Sequence, residues 1–159
     1  MKGAILEKGE LYFTYLKHIF FSLNNIQENY NWLITDYECY PEKQEYINLF
    51  SEEYCWMSGD ELTKIAADED FQWIWGVFSA FPKELTKEEI LKYPLPQCDG
   101  YTGFWNNPVS MQHPLAEMEI VAWDSSLTIF ISKDDTIIDT VMYNNALAEN
   151  LEIYNIKSK

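Results

Sequence analysis

Nucleophilic chemistry in this chain would fall to three cysteines, Cys39, Cys55 and Cys98, and two histidines, His18 and His113. A thiolate needs a base within hydrogen-bond reach, and Cys98 and His113 stand fifteen residues apart in one Pro- and Gly-rich segment. That spacing specifies no geometry, and neither residue has a flanking signature or an obvious third partner. His18 falls on the polar stripe of a predicted helix and reads as a surface histidine. With no CxxC and no paired His spacing, the same residues make no zinc set. Asp68-Glu69-Asp70 lacks the alternating oxygen ligands, central glycine and closing Glu of a Ca²⁺ loop. No GxGxxG, Walker A, GxSxG or HExxH pattern occurs. The pair Gly100 and Gly103 is followed by no helix. The 26 carboxylates allow so many pairings that no single pair is informative. Asp36, beside a predicted strand, and Asp124, at a strand end, are the two whose surroundings most merit inspection for a raised pKa. No catalytic residue, metal or cofactor is expected.

Charge says more than motifs do. The 159 residues carry a net charge of −15, and all 11 basic residues are lysine. Without arginine the chain has no bidentate fork for phosphates or guanine edges. Its charge also opposes every phosphate and acidic lipid surfaces. Neither nucleic acid nor a membrane is expected as a partner. The acid is concentrated: residues 36–70 hold eleven acids against two lysines, a balance of −9. Those acids are Asp36, Glu38, Glu42, Glu45, Glu52, Glu53, Asp60, Glu61, Asp68, Glu69 and Asp70. One reading is a solvated face that aids solubility. The functional reading is a surface that docks a basic protein, with long-range steering that salt weakens.

A second candidate is the segment 92–116. It shows no period and carries four of the six prolines and two of the six glycines. Structureless segments of this length are uncommon in compact proteins and often functional. Tyr101, Phe104 and Trp105 give it large rings of the kind that anchor interfaces. It reads either as a loop packed by its own aromatics or as a lid that touches a partner or a ligand.

The elements that must hold these candidates follow from periodicity. Lys2 to Leu6 reads as a short strand. Glu10 to Leu23 reads as a helix, with Leu11, Tyr15, Ile19 and Leu23 four apart and Asn24-Asn25 closing it. Tyr30 to Tyr37 and Tyr54 to Met57 read as strands, with residues such as Tyr46 and Phe50 pinning a short helix between them. Ser58 opens a capping box onto a helix that stops near Asp68. Phe71 to Phe81 is nearly continuous in apolar residues and belongs inside the sheet. Thr86 to Glu89 repeats the capping-box spacing. Glu117–Trp123 and Leu127–Ser132 form a hairpin through Asp124-Ser125-Ser126. A helix from Asp134 to about Leu147 follows, and Leu151 to Ile156 alternates as an edge strand would, leaving an edge that a second copy could pair with. The whole predicts one α+β domain over residues 1–159, built on a single mixed, largely antiparallel sheet of about five to seven strands with three or four helices.

Several of these segments carry a resemblance. Asn29-Tyr30-Asn31-Trp32-Leu33-Ile34, the Asp124-Ser125-Ser126 turn with the strand ending at Lys133, Ile137-Ile138 and Tyr143-Asn144-Asn145-Ala146 resemble a family of small uncharacterised Firmicutes proteins, a domain of unknown function. The resemblance implies no catalytic residue, and the 92–116 segment falls outside it. By type alone the chain is similar to immunity proteins of bacterial toxin systems, which are small, acidic, aromatic-rich and cytosolic.

The N-terminus lacks a signal-peptide apolar core, and no stretch approaches the roughly 18 apolar residues of a membrane span. A cytoplasmic protein with reduced thiols is expected. The functional expectation is a non-enzymatic acidic binding protein. It docks a basic protein partner through Asp36, Glu38, Glu42, Glu45, Glu52 and Glu53, with Tyr101, Phe104 and Trp105 as aromatic contacts, as an immunity-type inhibitor would. The alternative is an enzyme or small-molecule-binding domain with a pocket under the 92–116 loop.

Overall fold

The computed structural model describes residues 1–9 and 13–159. Seven strands, β1 (Lys2–Leu6), β2 (Tyr30–Cys39), β3 (Tyr54–Ser58), β4 (Trp73–Pro82), β5 (Met118–Trp123), β6 (Leu127–Ser132) and β7 (Glu149–Asn150), lie in one sheet. Their order is β3-β2-β4-β5-β6-β1-β7, and every neighbouring pair is antiparallel. The helices are α1 (Leu16–Ser22), α2 (Gln44–Leu49), α3 (Gly59–Asp68), α4 (Lys87–Ile90), α5 (Asp135–Asn144) and α6 (Leu151–Lys157). The α+β class and the largely antiparallel sheet are as the sequence predicts. Among the described residues no helix is long and apolar enough to cross a membrane.

Side chains of a strand alternate between faces, and both faces of this sheet are buried. On one face Trp32, Ile34, Phe78, Ala80, Ile120 and Phe130 meet Leu16, Ile19 and Phe20 of α1, Leu62 and Ile65 of α3, and Ile137, Ile138 and Val141 of α5. On the other, Ile5, Val77, Val121, Ile129 and Ile131 meet Cys98, Phe104 and Val109 of the 92–116 loop and Leu151 of α6. Leu33 and Phe81 extend that face toward Ile90 of α4 and Ala116. The result is three layers: helices, sheet, and a loop-plus-helix cover.

Caps read from the sequence hold the short helices. Ser58 Oγ accepts the Glu61 N–H at the start of α3, and Thr86 and Glu89 close a reciprocal capping box on α4. Asp134, read only as the start of a helix, also caps α5 by accepting the Thr136 N–H. Beyond shifts of one or two residues at strand ends, such as β4 starting at Trp73 and β2 running to Cys39, three elements differ from the reading. The first helix begins at Leu16: Thr14 has a left-handed φ of 69°, its hydroxyl bonds the Trp73 carbonyl, and Tyr15 is extended and bridges to Gln72, so neither residue is helical. Glu10, Leu11 and Tyr12 lie outside the described residues. The second helix of the C-terminal half, α5, stops at Asn144, short of Leu147.

The third difference changes an element's type. Leu151–Ile156 is helical, and the strand before it is only Glu149–Asn150. Asn150 caps the helix by accepting the Ile153 N–H. Leu151 and Asn155, four apart, are the buried positions, while Ile153 and Ile156 are 52% and 69% exposed. Their alternation therefore marks no buried strand face, and the sheet ends on the two-residue β7 in place of the longer edge strand expected at 151–156.

Candidate functional site

The acidic block folds around one edge of the sheet. Among the described residues the strand β3 pairs only with β2. Glu52 and Glu53 immediately precede it, Asp60 and Glu61 follow it, and Glu42 and Glu45 sit at the start of α2. All of these and Asp36 and Glu38 are exposed. Other acids of the block are held within the fold. Glu69 accepts the N–H groups of Glu42 and Lys43 at 2.7 and 2.9 Å. Asp68 pairs with the Lys43 ammonium at 2.5 Å and accepts from the Tyr46 hydroxyl.

Asp36 does more than contribute charge. The strand β2 is irregular between Thr35 and Glu38, and Asp36 there has φ 46°. That conformation is uncommon for non-glycine residues and is best tolerated by Asn and Asp. It turns the carboxylate toward the 92–116 loop, where Oδ2 accepts the N–H of Cys98 at 2.6 Å and of Asp99 at 3.1 Å. Between this bulge and the loop lies a cleft of about 400 Å³ lined by Asp36, Glu53, Leu95, Pro96, Gln97 and Asp99. It gathers three carboxylates and no cation. Asp36 and Glu53 were expected at the acidic surface. Asp99 was not, because a lone Asp in an aperiodic loop carries no pattern.

The aromatic candidates fall elsewhere. Phe104 is 1% exposed, so as a partner contact it is corrected: its ring is core, wedged against Tyr101 at 4.7 Å and Trp123 at 5.9 Å. Tyr101 and Trp105 are half-buried. Trp105 meets Trp123 edge to face at 5.2 Å and Tyr154 at 6.2 Å. These rings border a second cleft, of about 520 Å³, whose lining includes Thr102, Trp105, Asn106, Trp123, Tyr154 and Asn155. It shares no residue with the acidic cleft. Asn155 is 2% exposed. Its amide nitrogen donates to the Phe104 carbonyl and to Asn107 Oδ1, both at 3.1 Å, while its own Oδ1 has no partner among the described residues. Trp123, Tyr154 and Asn155 escape a sequence reading because two of them lie on the segment that alternates like a strand.

The nucleophile candidates are not brought together. Cys98 is fully buried, its thiol donates to the Ala122 carbonyl, and burial pushes it up to about 12. His113 is 1% exposed. Its Nε2 lies 2.9 Å from the Ile90 carbonyl and its Nδ1 accepts the Leu115 N–H, an arrangement that fixes the neutral Nε2–H tautomer. Burial lowers its pKa. Asp124 stands exposed in the hairpin turn. His18 is half-buried, with Nε2 3.1 Å from Asn145 Oδ1. The asparagines behind the family resemblance are staples between helices: Asn144 donates to Asn24 and Asn145 to Ser22.

The strongly perturbed carboxyl is Glu119, which the sequence reading passed over. It is fully buried on β5, and Oε1 accepts the N–H groups of Gln112 and His113, both at 2.9 Å. Among the described residues Oε2 has no partner, nor does Ser79 Oγ, although Ser79 faces Glu119 across the strand pair. Burial raises its pKa to about 7, against the pull of the two N–H donors. One acid in the otherwise apolar run MEIVAW was the available signal. It lines neither cleft and anchors the loop. Among the described residues no group of three or more His, Cys, Asp and Glu side chains is placed to hold a metal ion.

No curated protein and no solved structure matches the chain. Residues 1–98, which run from β1 through α4 and include the acidic block and the Asp36 bulge, match the family described as protein of unknown function (DUF2691), and the chain belongs to that family.

Proposed function

We propose that this is a cytoplasmic bacterial binding protein that docks a basic protein partner at its acidic edge, as an immunity-type inhibitor of a Firmicutes toxin system would. The observation that carries the reading is the acidic cleft, where Asp36, Glu53 and Asp99 converge with no cation among them. A lysine or arginine side chain fits such a site: it is elongated, needs several acceptors, and is attracted by the field of the exposed carboxylates around β3. The unpaired outer edge of β3 adds backbone groups that an extended segment of the partner could join as a further strand. Replacing Glu42, Glu45, Glu52 and Glu53 with Gln should slow association with the partner by about tenfold or more at low salt and flatten its salt dependence. A partner whose binding is indifferent to salt and to these four changes would end this reading.

A second reading, a small-molecule site bordered by the 92–116 loop, is favoured by a different observation: the aromatic cleft with the unpartnered Asn155 acceptor in its lining.

A further inference from the structure

The cleft between the 92–116 loop and α6 has a chemical character that narrows its occupant. Its lining is more apolar than polar, and its walls are the rings of Trp105, Trp123 and Tyr154. At about 520 Å³ it lies within the roughly 300–1,000 Å³ range of small-molecule sites. Trp123 is braced by Trp75 at 5.0 Å and by Phe104 beneath it, and the Tyr154 hydroxyl donates to Glu7 Oε2 at 3.0 Å.

One polar atom stands out among them. Both Asn155 amide hydrogens are committed, to Phe104 O and Asn107 Oδ1, and this fixes which end of the amide is oxygen. That oxygen is buried without a donor. An unmet buried acceptor costs free energy that a hydrogen-bonding ligand would recover. The ligand must then bring an N–H or O–H.

Charge and polarity set the rest. Lys159 in the lining disfavours a cation, and the net charge of −15 disfavours an anion. A free sugar, with hydroxyls on every side and no flat face, would bury several of them unpaired against a mostly apolar lining, whereas a ribose joined to a heterocycle can stay in solvent at the open mouth of the cleft. A flat heterocycle stacks on indole faces and needs only one or two hydrogen bonds.

Resting on the small-molecule reading, we propose that this cleft binds an uncharged aromatic heterocycle with an N–H donor, of the size of a nucleoside. The ring packs among Trp105, Trp123 and Tyr154, and its donor reaches Asn155 Oδ1 once the side chains that cover this buried oxygen move aside.

The test is a titration of the full chain followed by amide and indole NMR signals, with adenosine, adenosine monophosphate and maltose as probes. Adenosine should give saturable shifts centred on Trp105, Trp123 and Asn155, with a dissociation constant below about 1 mM. The monophosphate should bind on the order of tenfold more weakly. Maltose should produce no saturable shifts. Ser158→Trp, at an exposed position on the rim, should abolish the adenosine shifts while leaving the rest of the spectrum intact. Trp105→Ala should weaken them at least about tenfold. Maltose, or the monophosphate in preference to adenosine, shifting the same residues would overturn the heterocycle and leave a small-molecule site standing. No saturable shift at the cleft from any of the three would overturn both, as would adenosine binding that survives Ser158→Trp unchanged.

Discussion

On the helical face of the sheet α1, α3 and α5 carry most of their hydrogen bonds within themselves, and the strand side chains beneath them, Trp32, Ile34, Phe78, Ile120 and Phe130, are apolar. On the opposite face the 92–116 loop brings backbone groups with no ladder to satisfy them. The sheet and its neighbours supply the missing partners one at a time. Glu119 takes two loop N–H groups, Asp36 takes two more, and Thr35 donates to the Pro96 carbonyl. Lys133 donates to that of Pro114 and Asn155 to that of Phe104. Buried backbone must be paired by something, so an irregular cover puts polar and ionisable side chains on strands that would otherwise be apolar. Both clefts described above lie along the margins of that cover. The face that is harder to build is the one with chemistry to offer.

The sharpest way to break this contrast is to truncate one buried phenylalanine on each face. Phe78, 1% exposed and 4.8 Å from the Trp73 ring, sits between sheet and helices that cannot collapse into a cavity. Phe78→Ala should cost about 3–5 kcal/mol, read as a lower urea midpoint with every probe moving together. Phe104→Ala, equally buried, should cost less, because a loop relaxes around a void. Its amide exchange should quicken within 92–116 before anywhere else. Equal losses, or global opening in both, would show that the loop is as rigid a wall as the helices.

Next in size is a pH effect confined to the loop face. Burial holds the Glu119 carboxyl up to about 7, above its ordinary 4.5. Between those values the folded protein keeps a proton that the unfolded chain has released, so this residue's contribution to stability falls as pH rises through that window. The shift corresponds to about 3 kcal/mol. Glu119→Gln keeps an oxygen for the Gln112 and His113 N–H groups and carries no charge. Relative to wild type it should gain about 3 kcal/mol in unfolding free energy between pH 4.5 and 8. His113, whose pKa burial lowers, acts in the opposite sense, its contribution being lost as pH falls below the ordinary histidine value. It is present in both proteins and cancels in the difference. Parallel stability curves for variant and wild type would mean that Glu119 ionises like a surface acid.

The two faces also differ in how far the sequence disclosed them. Helical and strand periods, the Ser58 and Thr86 caps and the long apolar run of β4 were legible because each depends on neighbours within a few residues. The loop was legible only as a stretch without period. What it buries depends on Glu119, Asp36 and Asn155, which meet it from 6 to 63 residues away in sequence. Leu151–Ile156 misled because two exposed isoleucines imitate alternation, and with that helix misread the wall of the aromatic cleft was lost. The acidic surface was legible as composition. That Asp36 and Glu53 share a cleft with Asp99 depends on the bulge in β2, which no pattern announces.

Asp36 offers the smallest and most local test, because it joins the conformational and the electrostatic sides of the loop face. Its φ of 46° suits Asn and Gly and strains most other residues, while its carboxylate holds the Cys98 and Asp99 N–H groups. Asp36→Asn keeps the conformation and an acceptor and removes only the charge. It should cost about 0.5–1 kcal/mol. Asp36→Gly keeps the conformation and removes both hydrogen bonds. It should cost about 1–3 kcal/mol, with faster amide exchange at Cys98 and Asp99 and little change on the helical face. If the bulge matters to the loop only as a bend, the glycine variant will match the asparagine one in stability and in exchange. If the carboxylate is what ties the loop to the sheet, the two will separate, and the separation will appear first at those two amides.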